Sequence, residues 1–137
     1  MVTAVATREP TEYEMIKGTR AALSLLSGKW TVEILYLLAG GTRRYSEVYY
    51  EVGEISKKVL TRTLRSLERG GLVARTVHAE VPPRVEYALT PLGWSLTEPL
   101  MTMYEWSAEH LGPALEAPEP KPAAARLHVV PDPVLAA

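Results

Sequence analysis

Between Ile55 and Arg69 the chain reads ISKKVLTRTLRSLER, with a periodicity that separates two kinds of residue cleanly. At about 100° per residue, Val59, Leu60, Thr63, Leu64 and Leu67 fall on one side of a helix. Lys57, Lys58, Thr61, Arg62, Arg65 and Arg69 fall on the other. One face is suited to a core and the opposite face to an anion. Ser56 is placed to cap this helix, and Gly70-Gly71 to end it.

Other segments fall into place around it. Met15, Ala22, Leu23, Leu25 and Leu26 predict a helix over 15–26, ended by Ser27-Gly28. Trp30, Ile34, Leu35, Leu37 and Leu38 predict a second over 30–39, stopped by Gly40-Gly41. Tyr45-Ser46-Glu47-Val48 opens a short third helix, with Ser46 as its expected cap and Glu47 at the positive end of the dipole. Gly53 lies in the turn that follows, where a left-handed backbone favours glycine.

Beyond the basic helix, residues 72–78 and 84–89 alternate as two strands of a hairpin, tipped by Val81-Pro82-Pro83. Thr90-Pro91 is a strong helix start. Leu92, Leu96, Leu100, Met103 and Leu111 line the helical stretch after it, and Pro99 is expected to kink or divide that stretch.

A chain of 137 residues is enough for one core. Residues 1–14 are expected to be a flexible arm and 15–111 the folded domain. Residues 112–137, which hold six of the eleven prolines, are expected to be a disordered Pro/Ala-rich tail; a docked segment around Leu127 is the alternative. There is no cysteine, which excludes disulfides and thiolate metal sites. The opening MVTAVATREPTEYEMI has no basic stretch leading into an apolar core, and no run approaches the ~18 apolar residues of a spanning helix. The expectation is a cytoplasmic protein with no membrane partner.

The net charge of −1 speaks mildly against a nucleic-acid binder until the charges are placed. From Arg43 to Arg84 there are nine Lys or Arg against five acidic residues, whereas the remainder holds six against eleven. Phosphate attraction is local, since the Debye length is about 8 Å at physiological salt. A helix that fits the major groove, followed by a hairpin that can touch the flanking backbone, describes a winged helix-turn-helix. The fold expected is therefore mainly α with a small β-hairpin wing, and with extra N- and C-terminal helices for dimerisation. Double-stranded DNA is the expected partner.

The residues also carry a family likeness. Its pieces are Gly28-Lys29-Trp30 with Ile34-Leu35, Arg44-Tyr45-Ser46-Glu47-Val48, and Ile55 through Thr61. Leu64-Arg65-Ser66-Leu67-Glu68, Gly71-Leu72-Val73, Val81 through Tyr87, Leu89-Thr90 with Gly93, and finally Trp106 and His110 complete it. Over about residues 17–111 the chain resembles the HxlR-type transcriptional regulators, bacterial winged-helix proteins that bind operator DNA as homodimers. The resemblance implies a regulator, by family default a repressor, acting on a palindromic site. Many relatives carry a cysteine thirteen residues before the tryptophan, and in some it is a thiol switch; here that position is Lys17, followed by Gly18. Thiol oxidation therefore cannot be the signal. The family's common phenylalanine after arginine is Tyr45, and Trp94 after Gly93 is a bulkier residue than expected.

Ser56, Lys57, Lys58, Thr61, Arg62 and Arg65 are the candidates for the groove-entering helix. Lys and Arg there can donate to guanine, and Thr can touch a thymine methyl or a phosphate. The bland alternative is a solvated charged face. Arg43 and Arg44, ahead of a helix start that itself offers N–H groups, are candidate phosphate contacts. Arg84 in the wing is another, unless it pairs with Glu80 or Glu86. The ten aromatics are all Tyr or Trp. A small aromatic effector held by Trp30, Tyr36, Trp94, Met103, Tyr104 and Trp106 stands beside core packing and dimer contacts as a reading of this set.

His78, His110 and His128 are scattered, so no metal site or cofactor is expected. There is no nucleophile elbow, phosphate loop or paired-carboxylate signature, so an enzyme is not expected. Two rival readings are a winged-helix module that engages an acidic protein instead of DNA, and a ligand-binding or enzymatic domain built on the aromatic set.

Overall fold

The computed structural model describes residues 8–112; the tail after them, including the segment at Leu127 and His128, lies outside the described residues, as do residues 1–7. In chain order the elements are α1 (Glu12–Leu26), α2 (Thr31–Ala39), β1 (Arg43–Arg44), α3 (Tyr45–Val52) and α4 (Lys57–Arg69). They continue as β2 (Val73–His78), β3 (Arg84–Leu89), α5 (Pro91–Ser95) and α6 (Thr97–His110). The result is a mainly helical protein with a small antiparallel sheet, as its hydrophobic pattern implies.

The core is built where α2, α3 and α4 meet the base of the wing. Ile34, Leu35, Leu37, Leu38 and Ala39 of α2 are buried with Val48 and Val52 of α3 and with Leu60, Leu64 and Leu67 of α4. Leu72, Val73, Tyr87 and Leu89 close the core from the sheet side, and Leu100 of α6 adds a last contact. These are the apolar positions of the sequence pattern.

Three boundaries differ from those the sequence implies. The first helix begins at Glu12 rather than Met15, because Thr11 and Glu14 form a reciprocal cap: Glu14 N donates to Thr11 Oγ1 at 3.2 Å, and Thr11 N to Glu14 Oε2 at 2.8 Å. Ser46 is not the cap of α3 but lies inside it. Arg44 holds the cap position, and its backbone N–H donates to the Glu47 carboxylate at 3.2 Å. The stretch after Thr90 divides at Leu96, three residues before Pro99. Pro99 sits in the first turn of α6, where its missing N–H costs nothing.

The expected hairpin is really a three-stranded sheet in the order β1-β3-β2. β2 and β3 pair antiparallel from Val73 opposite Leu89 to His78 opposite Arg84. On the other side of β3, Arg43 pairs with Tyr87 and Arg44 with Glu86. Two residues of arginine carry no strand signal of their own, so only the tertiary pairing reveals β1.

Glycine is required at the turns that leave α3 and α4. Gly53 leaves α3 at φ +94°, and Gly71 leaves α4 at φ +75°, both in the left-handed region that a Cβ disfavours. Thr90 caps α5 through its hydroxyl, which accepts from Gly93 N at 3.0 Å. The same hydroxyl donates to the carbonyl of Gly71, tying the exit of α4 to the start of α5.

α1 stands apart. It meets α2 at 81°, contains no buried residue, and leaves Tyr13, Met15, Ile16, Leu23 and Leu25 exposed. It extends the core of its own chain only at its end, where Leu26 packs partly buried against it. No single helix among the described residues is long and apolar enough to cross a membrane.

Candidate nucleic-acid interface

α4 is the element on which the site is built. Ser56 holds an extended backbone and its hydroxyl accepts from Val59 N at 3.1 Å, which starts the helix where the sequence places its cap. Leu60, Leu64 and Leu67 then pin one face to the core. Burying three leucines is worth about 5–9 kcal/mol, and that fixes the opposite face outward. There Lys57, Lys58, Thr61, Arg62, Arg65 and Arg69 line an open cleft of about 570 Å³.

The electrostatics of this face run against the helix's own stability. Lys58 and Arg62, Arg62 and Arg65, and Arg65 and Arg69 are neighbours one turn apart. Each such like-charge pair costs roughly 0.2–0.5 kcal/mol. Lys57 and Lys58 also lie in the first turn, at the positive end of the helix dipole, where a cation is unfavourable. Only Arg69 in the last turn is favourably placed. Among the described residues none of these five cations other than Lys57 has a charged or aromatic partner; Lys57 holds its ammonium 5.4 Å from the Tyr49 ring centroid. The core contacts outweigh this repulsion several-fold, so the helix forms with its basic face uncompensated. Such a face is complementary to a polyanion.

The other candidate cations are differently placed. Arg43 turns back along the protein, with Nε 3.4 Å from the Glu51 carboxylate. Arg44 is exposed at the start of α3, with Nε 4.0 Å from Glu47. Arg84 lies between Glu80 and Glu86. A second open cleft, of about 560 Å³, runs between the start of α3 and the wing tip. Arg44, Tyr45 and Ser46 line one side of it and residues 80–85 the other. The chain thus brings α4, the start of α3 and the wing together, the arrangement the sequence pattern implies.

Two residues outside the expected set join them. Tyr49 stacks under Lys57, and Tyr45 reaches from the start of α3 to α4, its hydroxyl 3.2 Å from the carbonyl oxygen of Lys57 and 3.0 Å from Thr61 Oγ1. The tyrosine in place of the family's phenylalanine was the available signal for Tyr45.

The aromatic set does not converge in either cleft. Trp30, Tyr36 and Trp94 pack partly buried against the core. Tyr36 donates to the Leu100 carbonyl at 3.4 Å, and burial, with Tyr104 nearby, pushes its phenol above the usual range. Met103, Tyr104 and Trp106 lie exposed on α6, with Trp106 stacked on His110 at 5.2 Å.

A helix-turn-helix whose second helix offers a basic face, backed by a winged sheet, defines a winged helix-turn-helix regulator. Residues 25–114 match the HxlR-like helix-turn-helix family, and the chain belongs to it. An uncharacterised HTH-type transcriptional regulator of Methanothermobacter thermautotrophicus is 42% identical over 93 residues, covering 68% of this chain and 71% of its own length. The regulator YtfH of Escherichia coli is 38% identical over 88 residues, 64% of this chain and 70% of its own. Among solved structures, a regulator described as of the MarR family from Enterococcus faecalis superimposes with a TM-score of 0.70 at 33% identity, covering 82% of this chain and 98% of that one. The reduced form of the regulator YodB from Bacillus subtilis does so with a TM-score of 0.66 at 32% identity, covering 70% and 94%.

Proposed function

We propose that this protein is a homodimeric repressor that binds a palindromic operator in the cytoplasm, with α4 of each subunit entering a major groove. The observation that carries this reading is the basic face of α4, held outward by three buried leucines and free of carboxylate partners among the described residues. Lys57, Lys58, Thr61, Arg62 and Arg65 contact base edges and nearby phosphates, Ser56 starts the helix at the groove, and Arg44 and Arg84 contact the flanking backbone, while Arg43 is taken up by Glu51. Such contacts position and specify in the usual division of labour. Nothing in this reading calls for catalysis.

Dimerisation is supported by the apolar surface that the monomer leaves uncovered. α1 exposes Tyr13, Met15, Ile16, Leu23 and Leu25, and α6 exposes Met103, Tyr104 and Trp106, with Leu111 just past its end. Large apolar side chains left exposed along two helices are the raw material of an interface. Two α4 helices then lie about 34 Å apart, one DNA turn, and a bound dimer occludes the promoter. On this reading Trp30, Tyr36 and Trp94 serve packing, and Met103, Tyr104 and Trp106 serve the subunit contact, rather than an aromatic effector. The chain has no cysteine, so its regulation does not run through a thiol.

The experiment is a salt titration of binding to the duplex upstream of the protein's own gene, with random duplex as control. Tight, footprinted binding with a slope of about −0.9 in log affinity per log salt for each phosphate neutralised supports the reading. Absence of duplex binding at low salt would turn it toward an acidic protein partner.

A further inference from the structure

The wing gathers its charges on one face. His78 lies opposite Arg84 across β2 and β3, and Arg44 of β1 lies opposite Glu86 on the other side of β3. Side chains alternate along a strand, so Arg44, His78, Arg84 and Glu86 share the face away from Val85, Tyr87 and Leu89. Glu86 is the centre of this group. One of its oxygens is 3.1 Å from Arg84 Nε and the other 3.2 Å from His78 Nε2. Both nitrogens are closed off from solvent, and neither takes part in a hydrogen bond.

The surrounding charges are few. Glu80 at the tip holds the same guanidinium at 3.3 Å, and Glu47 of α3 lies 4.0 Å from Arg44 Nε. Two arginines therefore face three carboxylates. Arg75, the other cation of β2, is three residues from His78 and so on the opposite face. α4 ends in Glu68-Arg69 at the Val73 end of β2, about 16 Å of strand from His78.

With His78 neutral, the wing is a poor ligand for phosphate, because Arg84 is taken up and carboxylates outnumber arginines. An imidazole is the side chain that changes charge between about pH 5 and 8. A proton on His78 sets a second cation at ion-pair distance from Glu86 and balances the face. Arg84 then shares Glu86 and keeps to itself only Glu80, whose half-exposed pairing is weak in water. Resting on the reading of the wing as a duplex contact, we infer that His78 and Glu86 form a proton-uptake site that regulates duplex binding: acidification loosens Arg84 from Glu86 and makes the wing face a ligand for the phosphate backbone. The effector at this site is the proton itself.

The test is fluorescence anisotropy of the full-length protein on a labelled duplex from upstream of its own gene, at constant ionic strength, from about pH 8 down to about pH 5.5, the range over which an imidazole charges. Wild-type affinity should rise by about fivefold over that range, the worth of one more neutralised phosphate near ~0.15 M salt. His78→Gln should stay at the weaker, high-pH affinity throughout. His78→Lys, a permanent cation, should stay at the tighter one. If the wild type binds the duplex with no dependence on pH, the proton site is overturned and the DNA reading stands. The same holds if His78→Gln follows the wild-type curve, which assigns the dependence to other groups. If the wild type binds no duplex at any of these pH values, both fall.

Discussion

Arg84 Nε lies 3.1 Å from the Glu86 carboxylate, and the same guanidinium reaches Glu80 Oε1 at 3.3 Å. The other oxygen of Glu86 is 3.2 Å from His78 Nε2. The wing's arginine is thus held by two carboxylates, one from the tip and one from the strand. Arg84 Nε lies close enough to Glu86 for ion pairing, but neither it nor His78 Nε2 has the alignment of a hydrogen bond.

Glu80 is the weaker partner, because its side chain is 51% exposed. An ion pair in that setting is worth about 0–1 kcal/mol. Glu80→Gln should therefore free Arg84 for a phosphate and tighten duplex binding by about two- to fivefold at low salt, an effect that fades as salt rises. Fluorescence anisotropy at two ionic strengths measures this. Equal affinities for variant and wild type at both would mean that Arg84 does not touch the duplex.

Lys58→Ala and Arg62→Ala should move affinity and stability in opposite directions. Each removes a cation from the basic face, so operator binding should fall by about an order of magnitude, and the salt slope by about one where a phosphate contact is lost. Each also removes a like-charge neighbour worth roughly 0.2–0.5 kcal/mol. Thermal unfolding should accordingly show a melting temperature equal to or slightly above wild type. Affinity unchanged in both variants would place recognition elsewhere.

Gly93 is buried in α5 where a Cβ would collide with the carbonyl oxygen of Leu72 and press on Leu89 Cδ2 at 3.2 Å. The obstacle on one side is backbone, which cannot rotate away. Gly93→Ala should cost at least about 2 kcal/mol in urea denaturation. A variant as stable as wild type would show that α5 slides freely over the base of the wing.

Tyr36 carries a pH dependence of definite sign. Burial chiefly, and Tyr104 in addition, raise its phenol above the ordinary value. In the unfolded chain the phenol ionises near pH ~10, while the folded chain still holds the proton. Stability from this group is complete below that pH and is lost as pH rises toward the folded value. Denaturant unfolding at a series of pH values from about 9 to 11 should show that decline, and Tyr36→Phe should flatten it. An identical decline in the variant would assign it to other groups.

Much of this molecule was legible in its sequence because α4 obeys a single period. Leu60, Leu64 and Leu67 are fully or nearly fully buried, and the cations between them face out, as the wheel demands. Ser56, Gly53 and Thr90 were readable for a similar reason, since each does its work within a few residues of itself. What was not legible depends on distant partners. β1 exists because Arg43 and Arg44 lie against Tyr87 and Glu86. Arg43 spends its charge on Glu51, a pairing across α3 that no local pattern announces. α1 has the apolar pattern of a packed helix, yet in its own chain Leu26 at its end packs against the core while Tyr13, Met15, Ile16, Leu23 and Leu25 stay exposed.

The pairing of β1 with β3 has a mechanical consequence. β3 is flanked on both sides, by the hairpin strand and by the two residues that lead straight into α3. The wing is therefore not an independent flap but part of one plate with the helices it accompanies. Tilting the wing would pull on the beginning of α3, and through Tyr45 on α4 as well. In the homodimer proposed above, two such plates would keep their faces unchanged while the span between them alters. That span would be set outside the plate, by the 81° corner between α1 and α2 and by Leu96, where α5 gives way to α6.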